Sequence, residues 1–382
     1  MRLCYPFIAL LISLSCRVAA QAPVDSVTRS AAAPKREKIS FFPIPIIFSQ
    51  PETGLGYGAA ILPVWRFGLD TTVRKSNARL IAWRTQEKQS LVQLTHSIFT
   101  PGEQYFISGE LSYYYRFPIN YYGTGPRTSR DDKSVIQYKV FIGQQRVLRR
   151  LKPNLFAGLQ GRLTDLRDIQ VNRDIERDGV VVAPSRLNER PLRERQNTRI
   201  VGIGPVLLYD HRDNVLSAYQ GSYLEASALL NGGALGSDYR FSRYLLDARR
   251  YLSLDVNHKT VLAGQVVGQF QAGRVPFREL ANLGGDKLLR GYYEGRYRDR
   301  QSVVAQVELR RQLFWRLNGV LFGGVGQVGN TLAGFDDGGL KYTGGAGLRF
   351  KFNRRDRLNI RFDYGVGRDG STGFYFSFGE AF

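Results

Sequence analysis

The sequence predicts an all-β fold, a transmembrane antiparallel β-barrel of about sixteen strands. Three observations predict it. Gly, Tyr and Phe are abundant (41, 21 and 23 of 382 residues) while Met occurs once, and helix-period patterns are scarce. From Ile39 onward, strand-like runs of about ten residues follow one another to the last residue. Beyond the first twenty residues, no segment is an uninterrupted apolar run of the ~18 residues that a membrane-crossing helix needs. In a barrel, lipid-facing and lumen-facing residues alternate, so no window is strongly hydrophobic.

Residues 1–20 read as an export signal. Arg2 supplies the positive start, Pro6 to Cys16 form a short apolar stretch, and Val18-Ala19-Ala20 offers a cleavage site before Gln21. Cys16 raises a lipoprotein alternative, but Ser13 stands where such signals prefer leucine. Cys4 and Cys16 both lie in the segment to be removed, so the mature chain would hold no thiol, disulfide or cysteine-based metal site. Residues 21–38 are polar and rich in Ala, Pro and Lys, as expected of a short periplasmic tail with no room for a soluble domain. Residues 39–382 form the predicted barrel.

The net charge of +21 falls to +19 once Arg2 and Arg17 are removed. Such a balance can mean nucleic acid, which the export signal argues against. A basic lumen, or basic rims facing anionic outer-membrane lipid, fits better. The plainer alternative is a solvated polar interior with charged loops.

Strands are predicted near 39–49, 54–67, 77–87, 90–99, 104–116, 133–145, 154–167, 196–209, 219–231, 239–252, 260–272, 302–313, 317–329, 339–352, 357–367 and 373–382, an even count as in bacterial single-chain barrels. Alternation is clearest in three of them. Ile107, Leu111 and Tyr113 oppose Ser108, Glu110 and Ser112. Val303, Ala305, Val307 and Leu309 oppose Gln306, Glu308, Arg310 and Gln312. Leu358, Ile360, Phe362 and Tyr364 oppose Asn359, Arg361 and Asp363. Charges are costly against lipid, so the second face must line the interior. With both termini in the periplasm, the short turns 101–103, 314–316 and 353–356 follow even strands, and the long connections 117–132, 168–195 and 273–301 follow odd ones. Phe382 ends a predicted aromatic closing strand that also holds Phe374, Phe376 and Phe378.

The sixth external loop carries Leu289-Arg290-Gly291-Tyr292. Gly291 permits a sharp backbone turn, and the Arg290 fork can pair bidentately with an inward carboxylate such as Glu308. Such a pair would hold the loop folded into the lumen.

With this tip the chain resembles the outer-membrane assembly and secretion barrels that include BamA, TamA and the two-partner secretion transporters (the bacterial surface antigen family). The family's sixth loop carries a [VIL]-R-G-[FY] tip. Ser49-Gln50-Pro51-Glu52-Thr53-Gly54-Leu55-Gly56 looks like its opening hairpin. Tyr209-Asp210-His211-Arg212-Asp213-Asn214 looks like its mid-barrel D-x-R-D turn, and Asp363-Tyr364-Gly365 with the Phe-rich end looks like its closing pair. The terminal Phe382 resembles the recognition signal of outer-membrane proteins. The resemblance implies that Arg290 meets an Asp in an F-x-D-x-G pattern on strand thirteen. Here that stretch is Phe322-Gly323-Gly324-Val325-Gly326, with Gly324 at the Asp position, which leaves Glu308 on strand twelve to accept Arg290 alone, or another carboxylate to replace the Asp. It also implies periplasmic repeat domains, for which the eighteen residues 21–38 leave no space, so either a separate periplasmic protein would deliver clients or the function has moved away from handling proteins.

Other residues take plainer readings. His96, His211 and His258 are far apart, and His96 and Ser97 point to opposite faces of one strand, so no catalytic residues, metal site or cofactor are predicted. Asp210 and Asp213 read as turn-formers pairing with Arg212, and a Ca²⁺ site there has no support. Arg190, Arg193, Arg195 and Arg199 could touch lipopolysaccharide phosphates, although a solvated loop is the favoured reading. Trp65, Trp83 and Trp315 suit the membrane interface. The resulting expectation is a barrel aiding insertion or translocation of proteins or lipids. The alternatives are a gated or passive pore for anionic solutes, or a structural anchoring barrel.

Overall fold

The computed structural model describes residues 39–50, 54–70, 73–86, 88–336 and 339–382. The predicted export signal and tail lie outside the described residues. Sixteen strands form one antiparallel sheet in which neighbours in the sheet are neighbours in the chain. They are β1 (Ser40–Gln50), β2 (Gly54–Trp65), β3 (Ser76–Thr85), β4 (Ser90–Phe99), β5 (Tyr105–Tyr121), β6 (Ser134–Lys152), β7 (Leu155–Arg173), β10 (Thr198–Asp210), β11 (Gly221–Asn231), β12 (Phe241–Ser253), β13 (Thr260–Gly273), β16 (Gln301–Phe314), β17 (Leu317–Gly329), β18 (Lys341–Asn353), β19 (Leu358–Gly367) and β20 (Thr372–Phe378). The four remaining strands make two hairpins within long connections: β8 (Ile175–Arg177) with β9 (Val180–Ala183), and β14 (Ala281–Leu283) with β15 (Tyr297–Asp299). No described helix is long and apolar enough to cross a membrane.

The predicted strands match the sheet nearly one for one, and 317–329 coincides with β17. The largest departure is in β6 and β7, which run to 19 residues each. The added residues Ile169 and Val171 of β7 pack on a buried cluster in which Tyr121, Ile136, Tyr138 and Leu166 meet the loop residues Leu187 and Phe277, while Leu148, in the added part of β6, is buried with Phe156 at the other end. Loop side chains thus remove this strand surface from solvent, and pairing continues past the bilayer-spanning length.

Burial is inverted relative to a water-soluble protein. Leu321 and Tyr364 are 62% and 52% exposed, whereas Glu308 and Asp363 are at 0% and 1%. Apolar side chains outward and charges inward is the pattern of a barrel whose solvent is lipid.

The sheet curls so that its two ends meet through side chains. Lys75, just before β3, pairs with Asp356, just before β19, at 2.6 Å. Phe42 and Phe352 lie ring to ring at 5.9 Å, and Leu62 and Val64 cluster with Leu358. No ladder joins β1 to β20 among the described residues. β1 also carries Pro43 and Pro45 in unbroken register with Ile61 and Ala59 of β2. A proline fits a paired strand only where its nitrogen faces away from the partner, so both missing donors belong to the free edge.

The predicted closing strand 373–382 is shorter than expected. β20 stops at Phe378, and Gly379, at φ +81°, turns the chain off the sheet. Phe382 therefore does not end a strand. It packs with Tyr251 of β12, Ala263 of β13 and Ala218, while Arg310 donates to its backbone oxygen at 3.1 Å. Phe374 and Phe376 are exposed on the outward face.

Candidate functional site: the Arg290 clamp

Residues 274–300 connect β13 to β16 and bring the Leu289-Arg290-Gly291-Tyr292 tip onto the polar face of the sheet. Left-handed backbone at Leu289 (φ +56°) and Gly291 (φ +117°) makes the turn. The loop then crosses β19 with a glycine on each side. A Cβ on Gly291 would stand 2.8 Å from the Val366 carbonyl carbon, and one on Gly365 would stand 2.8 Å from that of Arg290. Only glycine allows this approach of two backbones. The Tyr375 hydroxyl fixes it, accepting from the Gly291 N–H at 2.9 Å and donating to the Tyr292 carbonyl at 3.0 Å.

So held, Arg290 is 1% exposed. Its Nη1 pairs with Asp363 Oδ2 of β19 at 2.5 Å, its Nη2 pairs with Glu308 Oε1 of β16, and its guanidinium carbon lies 3.7 Å from the Phe322 ring centroid. Burying a lone guanidinium is prohibitive, and a buried pair repays desolvation only when its remaining groups are also satisfied. The carboxylates of the network meet that condition, although Arg290 Nε, Arg310 Nη1 and Arg361 Nε are buried without a hydrogen-bond partner. Glu308 Oε2 accepts from Arg310 at 2.8 Å. Arg349 pairs with Asp363 and, at 2.9 Å, with Glu380. Arg361 pairs with Asp286 of the loop at 2.6 Å. Four arginines (290, 310, 349, 361) thus face four carboxylates (286, 308, 363, 380), and the cluster is formally neutral.

The predicted Arg290–Glu308 pair is present, but Glu308 does not act alone. The second acid is Asp363, which comes from β19 rather than from the strand holding Phe322. Gly324 explains why its own position supplies none. A Cβ there would lie 3.0 Å from the Ala305 oxygen and 3.2 Å from Leu289 Cδ1, so the Leu289 side chain occupies the space an aspartate would need. Phe322 contributes its ring face to Arg290, a cation–π contact. Gly326 gives room to Leu283, whose Cδ2 is 3.4 Å from a built Cβ. Tyr292 donates to the Tyr342 carbonyl at 3.3 Å and meets Tyr297 edge-on at 5.6 Å. Sequence reasoning missed Asp363, Arg349, Glu380 and Tyr375 as partners. For Asp363 the signal was available, because alternation had already placed it on the polar face.

In the D-x-R-D turn, Asp210 pairs with Arg212 at 2.9 Å as predicted. Asp213 does not pair with Arg212. Its Oδ2 meets Arg357 at 2.5 Å and its Oδ1 accepts the Tyr219 N–H at 2.9 Å. The turn reaches the end of the chain, where Ser217 donates to Glu380 at 3.3 Å. His258 and Ser253 do meet, at 2.7 Å, inside the connection after β12, but no carboxylate joins them among the described residues. Among the described residues no group of three or more His, Cys, Asp or Glu is placed to hold a metal.

Two solved structures share the fold. BamA from Haemophilus ducreyi lacking POTRA domains 1–3 is 16% identical with a TM-score of 0.54, over 89% of this chain and 69% of that one. CdiB from Acinetobacter baumannii is 14% identical with a TM-score of 0.54, over 90% of this chain and 60% of that one. No curated protein matches by sequence. Residues 99–382, spanning β4 to the terminal Phe and thus the whole Arg290 clamp, match the Omp85 superfamily domain. The chain belongs to the Omp85 superfamily and is a barrel of the bacterial outer membrane.

Proposed function

We propose that this barrel aids insertion or translocation of proteins or lipids at the outer membrane, that a separately made periplasmic protein delivers its clients, and that the Arg290 clamp holds the sixth loop inside the lumen. The observation that carries this reading is the joint pairing of Arg290 with Glu308 and Asp363. The clamp ties β19 to β16, so the strands beside the seam keep their place while the outer edge of β20 has no partner strand among the described residues. β20 itself pairs with β19 over only seven residues. A short, locally open edge offers backbone donors and acceptors to an incoming strand.

Depleting the protein and profiling the outer membrane tests this. Loss of a subset of outer-membrane proteins or of outer-leaflet lipid is expected. A normal membrane after depletion would remove the reading, and affinity capture of a soluble periplasmic protein would identify the delivery partner. The formal neutrality of the cluster around Arg290 weighs against a strongly anion-selective pore. Planar-bilayer recording checks that alternative, which a steady anion conductance would favour.

A further inference from the structure

The long connections build a second feature that the clamp does not use. Residues of the loops after β7, β11 and β13 line a cavity of about 780 Å³, with Arg300 and Asn330 completing it. That volume is in the usual range for a small-molecule site. Five arginines line it: Arg190, Arg193, Arg240, Arg274 and Arg300. The three carboxylates present are each committed to a hydrogen bond or an ion pair. Glu194 pairs with Arg190 at 2.8 Å and accepts the Phe277 N–H at 2.9 Å. Asp238 accepts the Arg199 N–H at 2.6 Å. Asp299 accepts the Arg300 backbone N–H at 2.8 Å.

The other four arginines have no carboxylate partner among the described residues. Arg193 donates to the Asp238 backbone oxygen at 2.6 Å and lies over the Tyr239 ring at 5.2 Å. Arg300 donates to Asn330 at 2.6 Å. Arg240 and Arg274 are the informative pair. They flank the last paired residues of β12 and β13, Phe241 and Gly273, and the Arg274 N–H donates to the Arg240 oxygen at 3.2 Å. Like charges placed opposite each other on paired strands are destabilising. An anion seated between them would turn that repulsion into two charge-assisted contacts.

We propose that this cavity binds a phosphorylated headgroup, with Arg240 and Arg274 as its principal phosphate ligands. The loops that build it also present exposed leucines, Leu192, Leu235 and Leu332. Apolar residues around a basic pocket suit an amphiphile, a phosphorylated glycolipid of the outer leaflet, on the side where loop length places these connections. The site is independent of client handling.

The test uses the full-length barrel in detergent micelles. Binding of purified lipopolysaccharide, of the same material after enzymatic dephosphorylation, and of inorganic phosphate is measured by thermophoresis. The Arg240→Gln/Arg274→Gln variant is compared with Arg149→Gln/Arg150→Gln, which removes the same charge from the opposite end of the barrel. Losing two charge-assisted contacts should weaken lipopolysaccharide binding by about tenfold or more in the pocket variant and by less than about twofold in the control. Dephosphorylated material should bind the native protein no better than lipopolysaccharide binds the pocket variant. Competition by inorganic phosphate would assign the site to a free oxyanion, and its absence would assign it to the lipid-borne group. Equal weakening in the two variants would overturn the proposal, as would undiminished binding of dephosphorylated lipopolysaccharide or no binding of either probe.

Discussion

Leu289 places its Cδ1 3.2 Å from where a side chain on Gly324 would begin. The sixth loop and β17 are thus fitted to each other by an absence. The first prediction concerns that fit. Gly324→Asp, which restores the acid that the resemblance implies, should lift the loop tip rather than strengthen the clamp. Overpacking of this kind costs about 1–3 kcal/mol. Proteolysis within residues 274–300 should accelerate, and unchanged cleavage would contradict the packing argument.

Asp363 and Glu308 share one guanidinium, so their removal should not add. Asp363→Asn or Glu308→Gln alone leaves a buried charge unbalanced, a loss of about 3–5 kcal/mol. Either substitution combined with Arg290→Met removes one charge of each sign, leaves three arginines against three carboxylates, and should recover part of that loss. Urea midpoints of the refolded barrel read the cycle, and strict additivity would mean that the three groups are not coupled.

Gly291→Ala should be costly without touching any charge. The position is at φ +117° and a Cβ would press on the Val366 backbone. Left-handed strain costs of order 1–3 kcal/mol before any clash. The variant should migrate as a less heat-resistant form on semi-native gels, whereas Gly236→Ala, at φ +80° with open space around it, should show the strain alone.

A fourth prediction follows from Glu103, in the short connection after β4. Burial pushes its carboxyl up, but the hydrogen bonds and charge of Arg74 outweigh this and hold it below the usual glutamate range. A depressed carboxyl contributes stability above its unfolded value and loses it as pH falls through the folded one. The native protein should therefore exceed Glu103→Gln in stability at neutral pH, with the two converging in acid. Curves that stay parallel from neutral to acid pH would contradict this.

Most of the barrel was legible because period-two alternation survives wherever one face meets lipid and the other does not. The Arg290–Glu308 pair was legible for the same reason, since Glu308 sits on the charged face of an alternating strand. Asp363 met that criterion too, yet its pairing depends on how far the sheet curls, which no local pattern encodes. The length of β7 was hidden because Leu187 and Phe277 complete, from distant loops, the cluster on which its last residues pack. The inward turn at Phe382 rests on one glycine, Gly379, whose backbone sign cannot be read from composition.

Pro43 and Pro45 give the seam a direction. By alternation the donors on that edge belong to residues 41, 43, 45, 47 and 49, so the prolines leave one near Ser40 and two beyond Ile46. A joint made this way holds more firmly at one end than at the other. Whatever strand pairs with β1, whether β20 or an incoming segment, is gripped better near Gln50 than near Ser40, so separation begins at the end where the chain enters the sheet.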